Sequence, residues 1–528
     1  MSIMTQEAAE PQQTRKQVIL GLVAVFAAFG TMAYVIQTTN IARPKMAAEL
    51  DGMSLYSWSI SLPGLAAAFA TLIFGKFSDM YGRRRMLMVS LGFFLVGSLA
   101  SALSPTFKFL IAANAVARVG NGSVMMLCYS VLGDMFAPTE RSRWIGLLQI
   151  PVGVFALFGP TLGGWVTDNL TWRYLYAIAV PLLAGCLLVT PAGIPAPLKK
   201  VVRKIDIRGC FLVAVAASTM IIGLSYAGDK YPWTSVPVIA LLGTSLLFWI
   251  LFLRAELSAD EPILDPQVLR NRTFLIVAGA TTLSFFGQMA MVLYFPMFLQ
   301  GVQEMSAMTS GQIITPYSVL MAFVGVPTGF LLARTRRYKW MYILGFGLLT
   351  VDMFGLIFFT VETPFIWGVT AATLAGLGLG AIPTVNTMVV QNAVPKRMLG
   401  VAMGAIFFCI SMGMSVAPAI LGSAMNAAYA KNLAASLPAE LGQFADEATM
   451  TSLGNSRVLL SKPAMESLER TFKSRGAEGQ RLFDQIIQAI RSSMEAGLRT
   501  VFWISAITML LSFLLILTVP EIPFSDEK

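Results

Sequence analysis

The 528-residue chain contains no histidine, and only 12% of its residues are charged against 56% that are hydrophobic. Histidine is the commonest metal ligand and the usual base near neutral pH. Its absence excludes His-dependent catalytic triads and zinc sites and removes the ordinary physiological pH switch. Soluble globular chains carry about 25% charged residues, so a chain with half that share is not one of them. The four cysteines, Cys128, Cys186, Cys210 and Cys409, lie in or beside apolar stretches without a C-x-x-C spacing, which reads as packing rather than redox or metal chemistry. No cofactor and no metal site is expected, and no nucleophile–base pair marks an enzyme.

What is present is long apolar runs. A bilayer-spanning helix takes roughly 20 apolar residues, and runs of that kind lie near 18–40, 55–75, 87–104, 108–132, 145–167, 173–194, 210–228, 234–253, 274–298, 311–333, 340–360, 365–390, 400–425 and 500–519. The reading is an all-α integral membrane protein with 14 transmembrane helices. The first run follows a polar tail, is longer than a signal-peptide core and has no small-residue cleavage site after it, so it should remain as a helix. With the N-terminus inside, the inner segments hold 23 basic residues, Arg83 to Arg85, Lys199, Lys200, Lys396 and Arg397 among them, against five in the short outer segments. Both termini are therefore expected on the cytoplasmic side of the cytoplasmic (inner) membrane. The net charge of +10 is topogenic, and without a separate basic patch with interleaved aromatics no nucleic-acid role is expected.

Two segments recur. Gly75-Lys76-Phe77-Ser78-Asp79-Met80-Tyr81-Gly82-Arg83-Arg84-Arg85 is followed at an offset of 254 by Gly329 to Lys339, with Arg334, Arg336 and Arg337. Gly159-Pro160-Thr161-Leu162-Gly163-Gly164 is matched at an offset of 258 by Ala417-Pro418-Ala419-Ile420-Leu421-Gly422. Spans one to six thus repeat as nine to fourteen in the same orientation, and spans seven and eight are an insertion. The implied organisation is a tail over 1–17, a six-helix bundle over 18–195, an inserted pair with linkers over 196–272, a second bundle over 273–520 with an outer loop over 427–498, and a tail over 521–528.

These residues resemble the major facilitator superfamily, and within it the fourteen-span drug:proton antiporter branch, over essentially the whole chain. The resemblance implies the major facilitator fold, two six-helix bundles plus two inserted helices, with the substrate between the bundles. Gly75, Asp79, Gly82, Arg83 and Arg84 match the family's loop-two-three gating signature. Physically, Gly75 lets helices approach closely, Asp79 can cap a neighbouring helix N-terminus, and the arginines can bridge to acids. Asp134 and Pro138-x-x-Arg141 also match the branch, and Asp134 is placed to pair with the basic loop as a lock. On span four, Arg118-Val119-Gly120-Asn121-Gly122 resembles the Arg-x-x-Gln-Gly element, with Asn114, Arg118 and Asn121 on one helical face. A charge at that depth costs roughly 2.5–3.5 kcal/mol on insertion scales, which suits a pathway residue; an arginine that pins helices through backbone carbonyls is the alternative. Gly159, Pro160, Gly163 and Gly164, continuing to Trp172-Arg173-Tyr174, resemble the antiporter signature, in which proline permits a kink and glycines a close crossing. The linker from Glu261-Pro262-Ile263-Leu264-Asp265 to Arg270-Asn271-Arg272, and Pro296 with Gln300, resemble the same branch.

The chain departs from the pattern at two places. Phe155 stands where the signature wants a small residue, and Val35 where the branch carries an aspartate. The one acid well inside a span is Asp352, and a buried carboxylate can take up and release a proton. Arg118 and Asp352 are therefore the proton-coupling candidates, with a structural role for Asp352 equally open. Tyr34, Gln37, Asn40, Trp58, Asn114, Gln149, Gln288, Tyr317 and Asn386, polar or amphipathic groups in apolar spans, are the cavity candidates; each could instead be a helix-to-helix hydrogen bond. Leu482, Phe483, Ile486, Ile487, Ile490 and Met494 form an apolar stripe that reads as a helix on the outer membrane surface or over the mouth, or packed on the protein's own loops. The resemblance implies a secondary active transporter that exports amphipathic drugs or toxic small molecules in exchange for protons. Its partners would be the small-molecule substrate, protons and the lipid bilayer, with room for a periplasmic adaptor and an outer-membrane channel. The alternative is dedicated export of one endogenous metabolite, siderophore or lipid-like compound.

Overall fold

The computed structural model describes residues 14–52, 55, 58–194, 206–227, 231–258, 262, 264–395, 398–437, 469–470, 472 and 476–521. Lys199, Lys200, Glu261, Ile263, Lys396, Arg397 and, within the expected outer loop, 438–468, 471 and 473–475 lie outside the described residues. The described chain is helical, with an isolated bridge between Ala227 and Tyr231 and no strand. In order come α1 (Arg15–Glu49), α2 (Trp58–Tyr81), α3 (Arg83–Ala102), α4 (Phe107–Met135), α5 (Pro138–Leu147), α6 (Gln149–Asn169) and α7 (Arg173–Gly193). The inserted pair is α8 (Ile207–Tyr226) and α9 (Val236–Ser258). After the short linker helix α10 (Pro266–Arg270) comes α11 (Arg272–Met289), continued through two π-helical turns, Ala290–Tyr294 and Phe298–Val302, on either side of α12 (Phe295–Met297). Then follow α13 (Ala307–Phe323), α14 (Gly325–Thr335), α15 (Lys339–Leu356), α16 (Phe365–Ala393), α17 (Leu399–Ser436) and α18 (Gly476–Leu517).

Helix starts follow from short polar side chains that accept from otherwise unpaired first-turn amides. Thr14 forms a reciprocal capping box with Gln17 on α1. Thr106 caps α4, Asp206 α8, Asn271 α11 and Ser306 α13. Two spans break where proline removes an amide and crowds the carbonyl four residues back. The α5–α6 break at Leu148 precedes Pro151, and the α13–α14 break at Val324 precedes Pro327. At Pro160, where proline permits a kink, α6 runs without a break from Gln149 to Asn169.

Thirteen described helices are long and apolar enough to cross a bilayer, and the fourteenth expected span is the shorter apolar helix within α8. The contacts carry the internal repeat. In the first half α1 packs on α4, α6 and α7, α4 on α2 and α3, and α3 on α7. In the second half α11 packs on α16, α17 and α18, α16 on α13 and α15, and α15 on α18, which reproduces each pair at the repeat's offset. The halves meet along two seams, α2 against α17 and α5–α6 against α13–α14. The inserted pair leans by α8 on α2 and α17, beside the first seam alone. Only 17% of the apolar window of α9 is buried, so that helix is the most lipid-exposed of the spans.

Both described chain ends, Arg15 and the C-terminus of α18, lie at the end that carries Arg83 to Arg85, hereafter the basic end; Tyr338 there donates its hydroxyl to the Pro520 carbonyl. At the far end α17 and α18, 38 and 42 residues long, reach roughly 57 and 63 Å at 1.5 Å per residue, about twice a hydrocarbon core of ~30 Å. The apolar stripe is therefore no separate surface helix. Leu482, Ile486, Ile490 and Met494 are buried within α18, and farther along that helix Gly497 stands against Met425 and Tyr429 of α17. Arg491 adds an ion pair with Glu304.

Candidate functional site

At the basic end of the first seam, small residues bring two backbones together. A Cβ at Gly75 would stand 2.5 Å from the Gly400 carbonyl oxygen and 3.0 Å from Gly404 Cα, so only glycine fits there. That approach delivers Asp79 to the N-terminus of α17, where Gly400 N donates to Oδ1 at 2.9 Å and Val401 N to Oδ2 at 2.7 Å. A carboxylate here satisfies two orphan amides and lies at the positive end of the helix dipole. Gly82 (φ 90°), a backbone angle that favours glycine, turns the chain into α3. Arg83 then lies between two acids, with Nη1 2.5 Å from Asp79 Oδ1 and Nε donating to Asp134 Oδ2 at 2.9 Å. The Arg83 and Asp79 side chains are about nine-tenths buried, and Asp134 is 40% exposed. Arg84 is half-buried at the start of α3.

The second seam uses backbone contact. A Cβ at Gly146 would meet the Gly325 carbonyl oxygen at 2.7 Å and Gly329 Cα at 3.2 Å. Beside it the buried Arg141 donates from Nη1 to Gln391 Oε1 at 3.0 Å, and Gln391 Nε2 donates to the Tyr129 carbonyl at 2.9 Å. This chain of bonds joins α5 and α4 of the first half to α16 of the second. Gln391 is absent from the sequence-derived candidates, because it falls one residue past the apolar run read over 365–390.

Toward the far end an open cavity of about 640 Å³ is lined by Ala156, Leu157 and Thr161 of α6, Pro296 and Gln300 near α12, and residues of α13 including Ser310, Thr315 and Ser318. Gln300 Nε2 donates to Ser310 Oγ at 3.3 Å. The antiporter-like element flanks this space on α6. A Cβ at Gly159 would stand 2.7 Å from Gln37 Cβ, and one at Gly163 2.6 Å from the Thr38 carbonyl oxygen, whereas one at Gly164 would meet nothing. Gly159 and Gly163 thus set the α1–α6 crossing, and Gly164 takes no part in it. Helix α6 passes through Pro160 without a break.

None of the polar cavity candidates lines that cavity directly. Asn386 follows the helix-to-helix alternative: it is buried, accepts from the Tyr342 hydroxyl at 2.7 Å and donates to Thr281 Oγ1 at 2.8 Å, a network inside the second half. Gln149 lies in the second seam, with Nε2 donating to the Tyr129 hydroxyl at 2.7 Å. Asn114 accepts from the Tyr176 hydroxyl at 3.1 Å within the first half. Tyr34 is buried, its hydroxyl unpartnered, and its ring meets Phe155 edge-on at 5.6 Å. The two departures from the family pattern therefore adjoin, since Tyr34 precedes Val35. Gln37 is half-buried against Gly159, and Trp58 at the start of α2 and Asn40 on α1 are exposed.

In the second half Asp352 is buried on α15 with neither carboxylate oxygen hydrogen-bonded. The buried Tyr317 side chain lies within electrostatic reach of Asp352 and faces Gln288. Gln288 itself reaches Met321 Sδ at 3.9 Å. Arg118 is half-buried on α4 and makes no hydrogen bond or ion pair with a described residue. Among the described residues no group of acids and cysteines could hold a metal ion.

The family model of the Major Facilitator Superfamily matches residues 20–418. Multidrug transporter protein MdtP of Bacillus subtilis (strain 168) is 26% identical, over 98% of this chain and 95% of its own length. Multidrug resistance protein 3 of the same organism is 27% identical, over 80% of this chain and 82% of its own. Among solved structures, the human organic anion transporter MFSD10 superposes with a TM-score of 0.59 at 14% identity, covering 96% of this chain and 100% of that one. The proton:xylose symporter XylE superposes at 0.55 with 13% identity, covering 96% of each chain. At these identities the two structures share the fold.

Proposed function

The chain belongs to the Major Facilitator Superfamily, and from that premise we propose that it is a proton-coupled exporter of amphipathic small molecules working by alternating access. One observation carries the reading. The two repeat-related halves are tied at the basic end by the Asp79 bonds to α17 and the Arg141–Gln391 bond, and an open cavity lined from both halves lies toward the far end. If the basic end is cytoplasmic, as the basic loops favour, this is the form that has released an exported molecule outward. The glycine crossing of α6 on α1 and relatives named as multidrug transporters support export over import. The polar residues of the two seams, Asp79, Arg83, Asp134 and Arg141, are the gate.

For coupling, Asp352 is the group we assign. Its two oxygens are buried without partners, an arrangement that a proton would relieve. Expression in a pump-deficient bacterium, with dye accumulation measured before and after collapse of the proton gradient, tests the whole reading. Gradient-insensitive accumulation overturns the antiport mechanism. If Asp352→Asn still exports in a gradient-dependent way, the coupling assignment falls and Arg118 is left to take it. Export confined to one endogenous compound would instead favour a dedicated exporter, and co-purification with a periplasmic adaptor would extend the assembly.

A further inference from the structure

Charge is scarce throughout this protein, and at the far end it is unevenly matched. Of the half-buried charges there, Arg173 donates to the Ser104 carbonyl and lies over the Trp172 ring, Arg491 pairs with Glu304, and Glu495 pairs with Arg499. Two half-buried arginines have no such relief. Arg118 on α4 has no hydrogen bond or ion pair with a described residue. Arg43 on α1 donates only to the Asn40 amide oxygen, at 2.9 Å. The charged group within electrostatic reach of Arg118 is Arg43 itself, together with the Tyr176 phenol; no carboxylate is among its neighbours. Two like charges within electrostatic reach of each other repel, and removal of guanidinium groups from water is costly unless they are paired. The acid of the second half does not supply the counter-charge, because Asp352 is buried on α15, which packs on α16 and α18.

We propose that Arg43 and Arg118 form a binding site for the anionic headgroup of an amphiphile, a carboxylate, sulfonate or phosphate bound where α1 and α4 present these two guanidinium groups beside Tyr176 of α7. Each guanidinium offers a planar fork of donors that fits such oxygens in a bidentate way, and the Asn40 amide and Tyr176 hydroxyl add polar contacts beside them. The inference rests on the export reading and narrows its substrate class to acidic rather than cationic amphiphiles. The same headgroup chemistry could belong to a transported molecule or to an anionic lipid.

The test uses the full chain in phosphatidylcholine nanodiscs with two dyes that share a xanthene ring and differ in charge, anionic fluorescein and a cationic rhodamine ester, followed by fluorescence anisotropy. Wild-type protein should bind fluorescein, and Arg118→Gln and Arg43→Gln should each weaken it by about tenfold or more, with rhodamine binding unchanged or tightened. Arg118→Lys, which keeps the charge and loses the planar fork, should bind with an affinity between those of the wild type and Arg118→Gln. Unchanged fluorescein affinity in both glutamine variants overturns the site, as does tighter rhodamine than fluorescein binding to the wild type. Addition of phosphatidylglycerol separates the sources: loss of fluorescein identifies a lipid headgroup as the occupant, and retention identifies the transported molecule. Dye export from pump-deficient cells is read separately, so gradient-driven rhodamine export without fluorescein binding sinks the anion site alone, and absence of any export sinks the transport reading.

Discussion

Neutralisation of Asp79 should open the basic end of the protein. The carboxylate accepts from Gly400 N at 2.9 Å and Val401 N at 2.7 Å and contacts Arg83, while Arg83 keeps a second acid in Asp134. In Asp79→Asn one carbonyl oxygen can still serve one amide, but the new NH₂ group faces the other donor. Removal of one partner from a buried ion pair costs about 3–5 kcal/mol; the residual Arg83–Asp134 pair places this variant at the lower edge, near 3 kcal/mol by order of magnitude. At about 1.4 kcal/mol per factor of ten, the closed form loses roughly 150-fold in equilibrium constant. A protein closed at about 99:1 would fall to roughly 40% closed. Spin labels at the exposed Arg85 and Trp340, with the native cysteines replaced, read this as a distance distribution across the halves. Asp134→Asn is the internal control, because that acid is 40% exposed and an exposed pair is worth about 0–1 kcal/mol. The reasoning is refuted if Asp79→Asn leaves the distribution unchanged, or if Asp134→Asn shifts it as far.

Three further outcomes are expected. Gly75→Ala should destabilise the seam by about 1–3 kcal/mol through overpacking, whereas Gly164→Ala should stay within about 0.5 kcal/mol; thermal melting of the purified variants compares them, and equal effects would contradict the crossing geometry. Asn386→Leu should cost about 1–3 kcal/mol by leaving the Tyr342 and Thr281 hydroxyls without their amide partner, with dye selectivity unaltered; a changed substrate range would return Asn386 to the cavity. Gln300→Leu should do the reverse, shifting dye selectivity in an accumulation assay at nearly constant melting temperature, and an unaltered spectrum of exported dyes would remove Gln300 from the substrate wall.

The repeat and the span count were legible because apolar length and landmark glycines survive any rotation of a helix about its axis. The Gly75–Asp79–Gly82–Arg83 cluster was legible for a related reason. Its residues combine a close approach, a cap and a turn at fixed short spacing, and few other arrangements require that set. Cavity-facing side chains were not legible, because one residue of rotation moves a side chain by about 100° around the helix. Asn386 and Gln300 look alike as polar groups in apolar spans, and only the packing of α16 against α11 and α15 separates a network residue from a wall residue. The α18 stripe failed for want of its partner. An apolar face with helical spacing fits a membrane surface and a neighbouring helix equally well, and the long extension of α17 could not be seen in a span count.

The two seams close the same end by different chemistry, and the repeat explains where the difference lies. At the repeat's offset of 254, Arg83 corresponds to Arg337, but Asp79 corresponds to Ala333. The second seam therefore has no carboxylate to hold a helix N-terminus, and it closes through glycine contact and the neutral acceptor of Gln391. Its helices are also the ones broken, at Leu148 and Val324, while α2 and α17 run continuously through Pro63 and Pro418. A break of this kind lets helix segments reorient without loss of intact backbone bonds, whereas separation of α2 from α17 must uncover a buried acid, an arginine and two amides together. Most of the electrostatic resistance to opening thus resides in the first seam and most of the backbone compliance in the second.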